Sequence, residues 1–494
     1  MKKLVGVIAF LCCLFFVNGQ NALGTLHGNY TPTNSLYVNP SSMLDAKVWL
    51  DINIVGVGSY TNNDLVYLSD QSWGSLSRDM IQLSKGRIEA SDLPNDEDVG
   101  YNHGRNKYHA YNRNFVTGPS AVWSQGDHAA GLSIGGRSYT AVRGVSDYFA
   151  QFIENGVTQF TPQHDIDYSL ENLRVASLHF AEIKGSYAYT FLKRRRDMFM
   201  GGITVSKFFS VAAGAVNVYN MDFNVDNDSL GVLYDVQADA MYTPDPKINW
   251  KGGMGLDIGF TYQKMLGEAG SYYPNSPKLG CRTVPYLYKI GVSIIDIGSV
   301  KFDEDDVLFS GYDFQDFEWL NYADVEVSDE NATEVFVAQE SNIGSGRVKK
   351  PHKVRLPTFA SVQFDYNLWA SRLYVNATLI QGLPPGKNKF GLRHANSLSV
   401  TPRFETYFFE FALPISLYEY QHPQLGASIR IGPLSIGSDK LISWIKRSDL
   451  YGMDIYAHLK IPLRYHPKCK GRLKGVKKGK GQRYKKYRPC EAYG

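Results

Sequence analysis

What most constrains this chain is a two-residue period that recurs along most of its length. In the stretch Tyr451 to Leu463, the residues Met453, Ile455, Ala457, Leu459, Ile461 and Leu463 fall on one side, and Asp454, Tyr456, His458 and Lys460 on the other. Met254, Leu256, Ile258, Phe260 and Tyr262 alternate with Gly253, Gly255, Asp257, Gly259 and Thr261. The same holds for Tyr286, Tyr288, Ile290, Val292 and Ile294 against Leu287, Lys289, Gly291 and Ser293, and for Ala360 to Leu368 against Ser361, Gln363, Asp365 and Asn367. Side chains that point alternately to opposite faces belong to strands. About fourteen such segments occur, so the chain reads as all-β. A composition with 33 Tyr, 26 Phe and 46 Gly agrees, because aromatics favour strands and Gly marks turns and bulges.

A soluble sandwich also alternates, so the content of the two faces decides. The polar face carries Gly, Ser, Asn and single charges of both signs: Asp257, Lys289, Asp365, Arg403, Glu405, Glu410, Arg430, Asp454, His458 and Lys460. Small residues and mixed charges suit a crowded, hydrated interior better than an open surface. The apolar face is nearly free of charge and ends in aromatics such as Tyr262, Tyr286, Tyr288, Phe409 and Phe411. Together they predict a transmembrane antiparallel β-barrel whose strands present an apolar face to lipid and a polar face to the lumen. A closed barrel is the sheet that can cross a bilayer without unpaired edge amides. Short connections (369–372, 418–424) and long ones (62–128, 144–167, 302–354) fit turns at one end and long external loops at the other.

Residues 1–19 read as a cleaved signal peptide: Lys2 and Lys3 precede an apolar run from Leu4 to Val17, and Val17-Asn18-Gly19 offers a cleavage site that leaves Gln20. Beyond it no apolar stretch approaches the ~20 residues of a spanning helix. Residues 20–46 read as an N-terminal periplasmic or plug segment, 47–463 as the barrel, and 464–494 as a basic tail without apolar periodicity, expected to be disordered. The tail holds twelve Lys and Arg, among them Arg472, Lys474, Lys477, Lys478, Lys480, Arg483, Lys485, Lys486 and Arg488, against one acid, Glu491. Export argues against nucleic acid as its partner. Outer-membrane lipid surrounds the barrel, and an anionic periplasmic surface (cell wall, lipid headgroups or an acidic protein) suits the tail. Cys469 and Cys490 bracket most of this cluster and are expected to pair in an oxidising compartment; closing such a loop restricts the free chain by about 3 kcal/mol.

Catalytic and metal-binding patterns are weak. The run from Phe302 to Glu330 holds eleven acids and no Lys or Arg, but lacks the order of a calcium loop and reads as a solvated external loop. His103 and His109 have no second close pair to complete a zinc set, and no nucleophile elbow surrounds any Ser. Ser428 or Ser416 near His458 is the weakest alternative, an outer-membrane hydrolase. No enzyme, cofactor or metal is expected.

The blocks Thr401–Tyr420 (TPRFETYFFEFALPISLYEY), Leu425–Ile445 and Tyr451–Leu463, with NSLYVNPSS at Asn34–Ser42, resemble a family of Bacteroidota outer-membrane barrels of unknown function, similar to FadL-like and PorP/SprF-like barrels. Asn39-Pro40-Ser41 departs from that family's usual Asn-Pro-Ala. The resemblance implies about fourteen strands and an N-terminal segment in or near the lumen. It implies either an envelope scaffold or accessory to secretion and gliding machinery, or a FadL-like channel for a small or hydrophobic solute.

Overall fold

The computed structural model describes residues 22–469, apart from 96–97, 156–163, 228–229, 278–284, 321–347, 350–351 and 385–389. The signal segment, Cys281, Cys490, the end of the acidic run and the basic residues from Arg472 to Arg488 lie outside the described residues.

Fourteen strand positions form one antiparallel ring. They are β1 (Leu50–Asn63), β2 (Lys107–Thr117 with Ser120–Gln125), β3 (His128–Ser146), β4 (Asp167–Arg194), β5 (Asp197–Asn227) and β6 (Leu230–Tyr242 with Gly253–Met265). The ring continues through β7 (Tyr286–Phe302 with Leu308–Leu320), β8 (Val348–Lys349, His352–Arg355 and Phe359–Trp369), β9 (Leu373–Gly382) and β10 (Ser397–Glu405). It ends in β11 (Phe409–Ala412 with Ile415–Tyr418), β12 (His422–Leu425 with Ala427–Ile431), β13 (Leu434–Ser438) and β14 (Gly452–Leu463). β14 closes on β1 from Leu50↔Leu463 to Asn62↔Gly452, so neither edge is left unpaired.

The outward residues are apolar and, for a folded chain, unusually exposed: Leu132, Ile203, Phe260, Val292, Val362, Phe364, Ile415, Ile436 and Ile461 among them. A soluble protein would leave this band wet; in a bilayer it meets hydrocarbon. The rings of Phe191, Phe199, Tyr262, Tyr288, Phe364 and Tyr366 follow one another around the outside of β4 to β8, with centroids 5.0–6.5 Å apart. This is one arc of an aromatic girdle, set at the end where both the first strand begins and the last one finishes. The chain is a transmembrane antiparallel β-barrel.

Three sequence readings change. The connection 62–128 contains β2, whose lumen face (Tyr111, Arg113) is aromatic and charged, which obscured its alternation. The span 302–354 contains the outer half of β7: β4 to β7 continue as long paired strands, and of the acids in the run Asp313, Asp316 and Glu318 sit on that sheet, Asp303 to Asp306 form the turn before it, and the rest lie outside the described residues. The turn after Tyr418 is short yet lies at the far end with the long loops, so turn length does not sort all connections by side.

Candidate functional site: a filled lumen

Residues 22–49 run through the barrel interior. Short helices at Leu23–Leu26 and Pro32–Ser35 and a 3-10 turn at Pro40–Asp45 leave nearly every residue buried. Its turns bond internally, as from the Asn39 amide to the Ser35 carbonyl and the Lys47 amide to the Asn29 carbonyl, and several of its other polar groups are satisfied by the wall. Thr33 donates to Asp51 through both its amide (3.1 Å) and hydroxyl (2.6 Å). Asn29 donates to Glu405 at 2.6 Å, and the Leu23 amide donates to Asp439 at 3.0 Å.

The turn Asn39-Pro40-Ser41 is seated most tightly. Asn39 Oδ1 caps its own 3-10 turn by accepting from the Ser41 amide (3.0 Å), while its Nδ2 donates to Gln363 Oε1 (2.9 Å). Three wall glycines leave the room. A Cβ at Gly202 would lie 2.5 Å from the Ser41 nitrogen, one at Gly291 2.7 Å from Asn39 Nδ2, and one at Gly259 would overlap Asn39 Oδ1. The Gly-rich polar face is therefore a seat for this turn.

The ten charged lumen candidates all point inward. Around the near end, Arg403 bridges Asp365 (3.2 Å) and Glu405 (3.1 Å), and Arg430 pairs with Glu410 (3.2 Å). Two partners come from the inner segment: Lys47 meets Glu405 at 2.7 Å, and Asp45 meets Lys289 at 3.0 Å. Four cations thus face four carboxylates in this layer. On the opposite wall Lys460 lies 3.9 Å from Asp51. Burial, followed by the charges of Arg403 and Lys289, lowers the pKa of His27 and holds it neutral; its Nε2 lies 2.9 Å from the Thr378 hydroxyl. Asp257 belongs to a second layer, with Lys184 at 3.4 Å. There Arg137 binds Glu182 and Asp296, each at 2.6 Å.

Sequence reading missed Arg137, Glu182, Lys184 and Asp296. Glu182 and Lys184 alternate with Ile183 and were within reach of the period-two reading. Asp296 was not: it sits at positive φ (60°) in a bulge of β7 that turns its carboxylate inward against the expected register. A register break also corrects Tyr286, expected on the lipid face. It is buried in the lumen, where its hydroxyl donates to Asp365 at 2.5 Å.

Above the charged layers the interior is apolar. Tyr60, Tyr139, Phe180, Phe208, Phe302 and Val354 from the wall surround Phe390, Leu392 and Ala395, which the connection between β9 and β10 lowers into the barrel. Cavities against the inner segment measure about 20 and 30 Å³, room for one or two waters. A larger hollow of about 520 Å³ opens at the near end, edged by Tyr30, Lys47, Arg372, Tyr407, Arg464 and Tyr465.

The Ser/His hydrolase alternative does not assemble. Ser428 Oγ donates to the Gly24 carbonyl at 2.9 Å, His458 stacks on Phe115 with centroids 6.1 Å apart, and neither ring nitrogen of His458 has a hydrogen-bond partner among the described residues. Cys469 is buried and disulfide-bonded.

A closed ring with a lipid-facing exterior and a lumen filled by its own N-terminal segment defines a plugged membrane barrel. The chain belongs to a family of unknown function (DUF5723), whose model matches residues 40–439. A search of curated proteins finds no match. Among solved structures the chain is similar to a Pseudomonas aeruginosa FadL homologue, at 10% identity and TM-score 0.38 over 90% of this chain and 97% of that one. It is also similar to the P. putida toluene transporter TodX, at 9% identity and TM-score 0.41 over 89% and 95%.

Proposed function

We propose that this protein is a non-enzymatic outer-membrane barrel that passes a small solute when its N-terminal segment shifts. One observation carries the reading: the lumen is filled by a separate segment whose polar groups bond to the wall, beside the apolar packing of Leu36, Met43 and Leu44 on Val122, Ala129, Met198 and Met200. A barrel of about eight strands is filled by its own side chains or holds one small ligand, and wider ones enclose more space. Fourteen strands, whose interior then needs residues 22–49 and the connection between β9 and β10 to close it, make a lumen that can open. Polar contacts suit such a segment, because water can replace each of them as it moves.

A second reading is an envelope scaffold or an accessory to secretion or gliding machinery. The ion pairs of Lys47 and Asp45 favour it, since they tie the segment firmly to the wall. A reversible lock separates the two. Ser293 Oγ donates to the Val38 carbonyl at 2.5 Å, so Val38→Cys with Ser293→Cys places two thiols on facing elements. Solute uptake by cells carrying this variant is expected to stop on oxidation and return on reduction, with the unaltered protein as control for Cys469. Uptake that ignores the lock, or is absent in both states, would favour the scaffold.

A further inference from the structure

Outside the neutral near-end layer lies a surplus of positive charge. The hollow of about 520 Å³ at that end is lined by two carboxylates, and both are engaged: Asp45 by Lys289 (3.0 Å), and Glu405 by Lys47 (2.7 Å) and Arg403 (3.1 Å). Lys47 is spent as well, since it also donates to the Tyr374 hydroxyl (2.8 Å) and the Ser371 carbonyl (3.1 Å), and an ammonium has three protons to give. Two further cations line the hollow, Arg372 and Arg464, and among the described residues neither guanidinium meets a carboxylate. That of Arg464 lies over the rings of Tyr465 and Tyr407, 4.8 and 5.7 Å from their centres.

The rim that carries these arginines is held in place. Arg372 follows Ala370 and Ser371, both at positive φ (51° and 55°), in the turn between β8 and β9. Asn367 braces that turn, accepting from the Ser371 amide (3.1 Å) and donating to its hydroxyl (3.2 Å). Arg430 fixes the turn between β10 and β11 by donating to the Thr406 (2.8 Å) and Tyr407 (2.9 Å) carbonyls. The Tyr407 hydroxyl then donates to the Pro462 carbonyl at 2.7 Å, two residues before Arg464. A guanidinium binds a carboxylate through two parallel hydrogen bonds, and a rim already ordered has little freedom left to lose on binding.

We infer that the near-end hollow is a docking site for an acidic segment of a periplasmic protein, whose carboxylates pair with Arg372 and Arg464. The inference rests on the outer-membrane reading, which puts this end in the periplasm. Tyr30, Lys47 and Glu405 line the hollow from within the ring. A lipid headgroup is held in the leaflet outside the wall, whereas a mobile chain in the periplasm enters the mouth directly. A segment seated there lies against the Lys47–Glu405 pair that ties the inner segment to the wall, so the partner touches the closure itself.

The test uses the complete mature protein, purified in detergent, and a fluorescein-labelled hexaglutamate peptide read by fluorescence anisotropy. No solute is involved, so failure here leaves the passage of solute untouched. Arg372→Gln with Arg464→Gln is expected to weaken binding at least about tenfold, whereas Lys485→Gln with Lys486→Gln, which removes the same charge from the tail, changes it less than about twofold. Equal losses in the two double variants show attraction to net charge alone and overturn the inference. Displacement of the peptide by citrate at the same concentration of carboxylate marks a site for small anions and overturns it too. A benzophenone at the end of the peptide is expected to cross-link, in the parent protein, to residues 370–372, 406–408 or 464–465. Cross-links confined to residues 470–494 overturn the inference even where the arginine variant does not fold.

Discussion

Single residues carry unequal weight because the lumen is dry. Arg403 is 1% exposed and holds two carboxylates, Asp365 and Glu405, that have been taken out of water. Arg403→Met leaves both without it, and breaking a buried pair costs about 3–5 kcal/mol; heat or urea unfolding in detergent should show a loss of that size. On the other face of the wall the reverse rule applies. Val292 is 46% exposed toward lipid, and Val292→Arg is expected to destabilise the barrel by about 2–4 kcal/mol if it lies near the bilayer midplane. The same arginine on a soluble surface would cost next to nothing. The inward charges were legible as single residues, because period two assigns a face to each. Arg403 and Glu405, two apart on one face of β10, were within reach as a pair, but Asp365 two strands away and Lys47 and Asp45 of the inner segment join them only once the ring has closed around that segment.

At the scale of elements, the unusual feature is a wall cut to fit a turn. Gly202, Gly259 and Gly291 lie on three adjacent strands, β5, β6 and β7, and clear space for Asn39-Pro40-Ser41. Gly259→Val keeps every strand pairing but blocks that seat. Limited proteolysis should then cut within residues 22–49 at least several-fold faster, while the barrel retains its resistance to heat; equal cutting rates in the two proteins would show that the glycines serve only the sheet. Glycine on the polar face and the Asn-Pro-Ser motif were both visible in the sequence, some 160 or more positions apart. Nothing local connects them, because the complementarity exists only after the inner segment enters the ring. Strand existence was legible wherever a clean, charge-free lipid face alternated with a polar lumen face, as in β8 and β14. It failed at β2 and at the outer half of β7, where strands leave the bilayer or carry large polar groups inward and the two faces stop differing in hydropathy.

For the whole molecule the governing relation is between the width of the ring and what fills it. Fourteen strands enclose more space than wall side chains occupy, and the difference is made up from the near end by residues 22–49 and from the far end by Phe390, Leu392 and Ala395. In the charged near-end layer the inner segment and wall neutralise one another, four cations to four carboxylates, so it presents no net charge to draw an ion through. Charge balance and fill were beyond the reach of sequence, which supplies the inventory of charges but not which of them share a layer. The central claim is that the inner segment is the closure. Its most direct measurement is conductance across planar bilayers of the complete mature protein and of a protein lacking residues 22–46. The complete protein is expected to be silent and the shortened one to form steady open channels. Equal silence from a shortened protein that is folded and inserted would contradict the account, and so would channels of equal size from both.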